Sequence, residues 1–186
     1  MRRGVVLVAV AVFAAAFAPG TRTRAQDQPL EPRLKSAPHL PVAGDDLRRA
    51  FVQEITALQA KGAHVPSDAD TALRRRIIQD ARALEPPPLV PAEARAHFER
   101  GRRARDRCAC PESTLVAVDR FTAALHEAPW WAPPHLQLGE ALLRLDRKAE
   151  ALVCLELYLL AKPDALDQAK VVKRITALKR GRAPRD

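Results

Sequence analysis

Cysteine is the residue type here with the most chemistry to offer, and the chain has three, Cys108, Cys110 and Cys154. In an oxidising compartment two could pair, leaving one over. A Cys108–Cys110 bridge would close a very small ring. Cys154 could instead reach one of them if the loop carrying the close pair folds over the later part of the chain. Cys-Ala-Cys with one distant Cys lacks the paired spacings of a zinc site. The remaining reading is structural or free thiols. Cys154 in particular lies in a strongly apolar stretch, where a buried, inert thiol is the ordinary outcome. A redox- or metal-linked protein using Cys108, Cys110 and Cys154 is therefore the alternative function to weigh.

The other reactive types offer less. His39, His64 and His126 are scattered, and His97 and His135 take equivalent helical positions where they pack or face solvent. No Ser-His-Asp or Cys-His arrangement follows from the order of residues. Asp45-Asp46 and Asp68/Asp70 read as helix starts, where negative charge suits the dipole. No glycine-rich phosphate loop, nucleotide fingerprint or HExxH motif occurs. The expectation is a non-enzymatic protein with no catalytic residue, metal ligand or cofactor.

The elements that would position these residues are helical. The 186-residue chain is 47% hydrophobic and 4% aromatic with only 7 Gly, which suits one small helical domain plus extensions. Residues 1–25 read as a signal peptide: Arg2 and Arg3, an apolar run of 14 residues from Val5 to Ala18, and a cut after Ala25. That run is short of the ~20 residues of a spanning helix. The product is expected to be periplasmic or secreted, with no stable membrane span. Export removes Arg2, Arg3, Arg22 and Arg24 and no acid, so the formal charge of +9 falls to +5. With little aromatic interleaving, no nucleic-acid partner is expected.

Residues 26–43 form a Pro-rich tether. Across 44–88 a helical hairpin is expected. Leu47, Phe51, Ile55 and Leu58 share one helical face, and Leu73, Ile77, Ala81 and Leu84 another, with Ser67 and Asp70 resembling a capping box. Helices follow at about 92–107, 112–127 and 149–160, with another starting at Pro133-Pro134 and a last one from Asp164 to about Lys179. Leu166, Ala169, Val172, Ile175 and Leu178 make the apolar stripe of that last helix. Trp130-Trp131 is expected to pack at least one ring at a helix junction.

Two stretches repeat. Gly139, Leu142, Ala151, Leu155 and Pro163 are matched by Gly101, Ala104, Ala117, Phe121 and Pro129, and Pro129 precedes Pro163 by 34 residues. This pattern resembles the tetratricopeptide repeat, a helix-turn-helix unit of ~34 residues. The first unit, 89–131, has four extra residues between its helices; the second is 132–165, and 166–186 is a capping helix and tail. The resemblance implies an all-α, short helical solenoid in which each glycine lets two helices approach closely. It also implies that hairpin 45–85 docks on the first repeat, because two repeats alone bury too little core.

In such repeats the first helices line a concave groove. The matching positions here are Arg95, Phe98, Arg102, Arg105, Leu136, Glu140, Leu143, Arg144, Lys170 and Arg174. Most are basic, so the resemblance implies a scaffold or accessory subunit that takes an acidic protein or peptide segment, held by planar guanidinium forks.

Overall fold

The computed structural model describes residues 43–108 and 110–181. The expected signal segment lies outside them, as does the Pro-rich tether apart from Ala43. The described residues form seven helices and no strand: α1 (Ala43–Gln59), α2 (Thr71–Ala83), α3 (Ala92–Arg107), α4 (Pro111–Glu127), α5 (Ala132–Arg144), α6 (Lys148–Ala161) and α7 (Gln168–Gly181). None is long and apolar enough to cross a membrane.

Proline opens two of the helices. Pro111 begins α4, and Pro133 and Pro134 lie in the first turn of α5, where a missing N–H costs nothing because no intrahelical acceptor exists for it. The α5–α6 turn is closed at its backbone. Asp146 adopts φ 57°, Arg147 N–H donates to Leu142 O at 2.9 Å and Asp146 N–H to Leu143 O at 3.2 Å. This is a Schellman ending with an aspartate in the left-handed position that glycine usually takes.

Helices α3 to α7 pack each on the next in chain order. A core shared by α3 to α6 joins Ala104, Ala117, Phe121, Leu125, Leu138, Leu142, Ala151 and Cys154. The two repeat glycines sit where helices touch. A Cβ on Gly101 would lie 2.6 Å from the Phe121 ring, and one on Gly139 would lie 3.0 Å from Leu155 Cδ2. Bonds between side chains link the alternate helices α3, α5 and α7 into one layer: Arg105 donates to Gln137 Oε1, and Arg174 to Glu140 Oε1 at 3.2 Å. Helices α4 and α6 form the layer behind.

The N-terminal hairpin departs from the expected placement. It does not sit over the first hairpin alone; α2 packs on α6, and α1 reaches α4. Ile77, Ala81 and Leu84 turn toward Phe51 and Leu58 of α1, while Ile78 joins Val153 and Leu157 of α6. Gln59 Nε2 donates to His126 O, and Arg82 to Leu160 O. The reason is burial. The outward face of α6 presents Val153 and Leu157, whereas α4 presents Asp119 and Arg120 beside Leu115 and Val116, so α6 offers more apolar area to cover.

The last helix also differs from expectation. Asp164 does not cap it; turns through Lys162–Gln168 delay its start. Leu166 therefore precedes the helix and is fully exposed, and Val172 is half-exposed. The buried stripe is Val171 and Ile175 with Leu178, packed against Leu152, Leu155 and Tyr158. Tyr158 donates to Asp167 Oδ1 at 2.6 Å and anchors the turn.

Candidate functional site

With α1 and α2 across the back of α4 and α6, the face made by α3, α5 and α7 stays open. It carries the ten positions matched to a groove, and they divide into three groups. Phe98 is turned inward, with ring centroids 5.7 Å from Phe121 and 4.9 Å from Trp131. Leu136 and Leu143 are half-buried. Arg102 pairs with Glu99 at 3.4 Å, Arg105 holds Asp106 and Gln137, and Arg174 holds Glu140. Arg95, Arg144 and Lys170 are exposed with no acidic partner among the described residues. Glu140, Leu143, Arg144 and Arg174 converge on one open depression of about 330 Å³. Gln137 belongs to this face and was not among the matched positions. Its place three residues before Glu140, one helical turn away, was a signal available for it.

The two tryptophans split between layers. Trp131 packs on Phe98 of α3, and Trp130 meets Phe51 of α1 edge-on at 5.2 Å. Both residues are half-buried.

The three thiols do not assemble. Cys108 and Cys110 are bonded to each other, with Cα atoms 5.3 Å apart, and Cys154 is fully buried and free. Burial pushes the Cys154 thiol well above its ordinary range. A thiol held in its neutral form is a poor nucleophile and a poor metal ligand. The three-cysteine chemistry weighed as an alternative has no common site here. Among the described residues no three His, Cys, Asp or Glu side chains are grouped to hold a metal ion.

Near Cys154 lies a buried ion pair, one member of which, Asp70, the sequence marks only as part of a helix start. Asp70 and Arg74, both 3% exposed, form an ion pair through Arg74 Nε. The Asp70 carboxylate also accepts from Ser67 N–H at 2.8 Å and Ser67 Oγ at 3.0 Å, and lies 3.0 Å from His64 Nε2. The expected capping box is thus half made: Asp70 reaches back to Ser67, but α2 begins only at Thr71. Burial by itself would raise the Asp70 pKa, yet Arg74 and Ser67 together hold it below the usual value. Close by, His135 is fully buried and donates from Nε2 to Pro129 O at 2.9 Å. Loss of hydration lowers its pKa to about 4 despite that bond, and nearby Arg74 adds to the fall. The i,i+4 spacing of Asp70 and Arg74 was legible; their burial depends on α6 and was not. This buried pair ties the 60–70 loop to α2, although Arg74 Nη1 is left without a hydrogen-bond partner among the described residues, and removing either member would strand the other charge.

No family model matches the chain, and comparison with curated proteins and with solved structures gives no match either.

Proposed function

We propose that this chain is a non-catalytic interaction module of an exported, periplasmic or secreted protein. In this reading it is a short tetratricopeptide-like solenoid that binds an acidic partner segment across α3, α5 and α7. The observation that carries the reading is the asymmetry of cover. The N-terminal hairpin packs on the back of α4 and α6, and the uncovered front has Arg95, Arg144 and Lys170, without acidic partners among the described residues, around half-buried Leu136 and Leu143. A segment with acidic and apolar residues would complement both features, and Arg144 beside the Leu143 depression can hold a carboxylate with two hydrogen bonds.

Arg102, Arg105 and Arg174 enter this reading as supports, since each is already bonded within the chain. The test therefore uses the cations that are not. Arg95→Glu/Arg144→Glu should weaken binding of a fluorescent peptide of alternating Glu and Leu by roughly tenfold or more, as expected for lost charge-assisted bonds. Helical content should not change. Anisotropy titrations at low and moderate salt read the effect, and undiminished binding by the double variant would move the site off this face.

A further inference from the structure

The uncovered end of the first hairpin carries a second feature of a different chemistry. Arg100, Arg103 and Arg107 fall at successive turns of α3, and Ser113, Val116 and Arg120 at successive turns of α4. The two stripes face each other around a depression of about 250 Å³ with Ala104 on its wall. Four arginine side chains thus border one small concavity whose wall is mostly carbon, and no acidic residue borders it. The nearest acids in sequence, Asp106, Glu112 and Asp119, are outside the lining, and Asp106 is taken by Arg105.

Several arginines elsewhere in the fold are paired, although among the described residues Arg95 and Arg144 are not. Arg75 pairs with Glu156 at 3.0 Å, Arg76 with Glu54 at 3.3 Å, Arg147 with Glu150 and Arg174 with Glu140. Arg100, Arg103, Arg107 and Arg120 have no acidic partner among the described residues. Gathering like charges without a counter-charge costs free energy that a bound anion would recover. The start of α4 points the same way. Ser113 is its third residue and is nearly buried, Pro111 has no N–H, and Cys110 supplies no side-chain cap. The first N–H groups of α4 therefore lack intrahelical acceptors and add the positive end of a helix dipole beside the arginines.

We propose that this depression binds a phosphomonoester or diphosphate group. A carboxylate brings a single charge. A phosphomonoester brings about −1.5 to −2 and three acceptor oxygens, which match several planar guanidinium forks at once. The volume is below the ~300–1,000 Å³ of pockets that enclose whole drug-sized ligands, so the site takes the phosphate end of a molecule and leaves the rest outside. The site is separate from the α3/α5/α7 face and stands whether or not that face binds a peptide.

The test compares the protein with Arg103→Gln/Arg107→Gln and, as a charge-matched control on the other face, Arg95→Gln/Arg144→Gln. All four residues are exposed, and circular dichroism checks that the helices are kept. Two probes separate the possible sources of the phosphate. One is inorganic pyrophosphate, followed by calorimetric titration; the other is phosphatidylcholine vesicles containing phosphatidic acid, followed by co-sedimentation. The expected result is saturable binding of at least one probe, weakened roughly tenfold or more by Arg103→Gln/Arg107→Gln and little changed by the control pair. Binding of pyrophosphate assigns a soluble phosphate ligand, and binding of vesicles alone assigns a lipid headgroup. Equal losses in both double variants, or binding of neither probe, would overturn the site. So would retention of a single-stranded oligonucleotide as the only polyanion bound.

Discussion

The α3–α4 and α5–α6 hairpins are built on the same repeat pattern and differ in how many sides they have covered. Helix α6 touches α5, α7 and α2 on three sides. From Ala151 to Tyr158 every residue but Glu156 is buried, as a helix apolar on all sides requires. Helix α3 has cover mainly from α4. It buries only Ala94, Gly101 and Ala104, and the rest of its surface is dominated by arginine. Helix α4 is intermediate, with Leu115 and Val116 left half-exposed. The composition of each helix records the number of neighbours it meets, and the repeat pattern alone does not say which neighbours those are.

Removing the cover should break the comparison most sharply. A fragment starting at residue 89 would leave Val153 and Leu157 of α6 facing water. It should melt well below the full chain or aggregate. If the fragment is soluble and equally stable by thermal denaturation, the hairpin is not what closes the core.

Single truncations sharpen the same point. Leu157→Ala removes a fully buried side chain that meets Ile78 of α2, and should cost about 2–5 kcal/mol. Leu115→Ala, on the half-exposed outer side of α4, should stay within about 0.5 kcal/mol. Urea unfolding of both variants measures the difference. Similar losses would mean that α4 is covered as fully as α6.

The paired histidines carry the contrast into pH. His97 of α3 is half-buried, whereas His135 of α5 is sealed, with its pKa lowered to about 4 from 6.5. Between those values the unfolded chain binds a proton that the folded one refuses. Stability is therefore full above about pH 6.5 and declines as pH falls toward 4, by on the order of 2–3 kcal/mol. Protonation of Asp70, whose carboxyl is held low, adds further loss at lower pH. His135→Gln keeps a donor for Pro129 O but does not titrate, so melting temperature should depend less on pH between 7 and 4.5. An unchanged slope would assign the acid sensitivity to other groups.

The smallest expected difference is between the glycines. A methyl at Gly101 collides with the buried Phe121 ring, while one at Gly139 needs only a slight movement of Leu155. Overpacking costs about 1–3 kcal/mol, and replacing a helical glycine with alanine returns up to about 1. Gly101→Ala should be destabilised, and Gly139→Ala should be close to neutral. The reverse order in calorimetric melting would show that the first hairpin yields more readily than its ring packing implies.

Residue periodicity was enough to locate the helices. The stripe Leu47, Phe51, Ile55 and Leu58 faces inward along α1, and the 92–107 helix has the same ends in the structure as in the reading from spacing. The close approaches at Gly101 and Gly139 were likewise legible from small residues at matched positions. Reading failed where a local signal had a rival. Asp164 has the chemistry of a cap, but the turns through 162–168, held by Tyr158 and Asp167, postponed the helix, and its buried stripe kept Ile175 and Leu178 but took Val171 in place of Val172. Of the ten groove positions, the residue types announced charge, but not that Arg105 and Arg174 would be spent on Gln137 and Glu140.

What the sequence determined by itself is the existence of each helix, most of its apolar stripe and its small-residue contacts, because these depend on neighbours three and four residues away. Only the tertiary structure decided that α2 lies on α6, that Asp70 and Arg74 are buried beneath that contact, and that the bonded Cys108 and Cys110 stay apart from Cys154. Those outcomes turn on which distant apolar face gains most from being covered. No stretch of local sequence contains that comparison, since it is made between surfaces that exist only once the helices have formed.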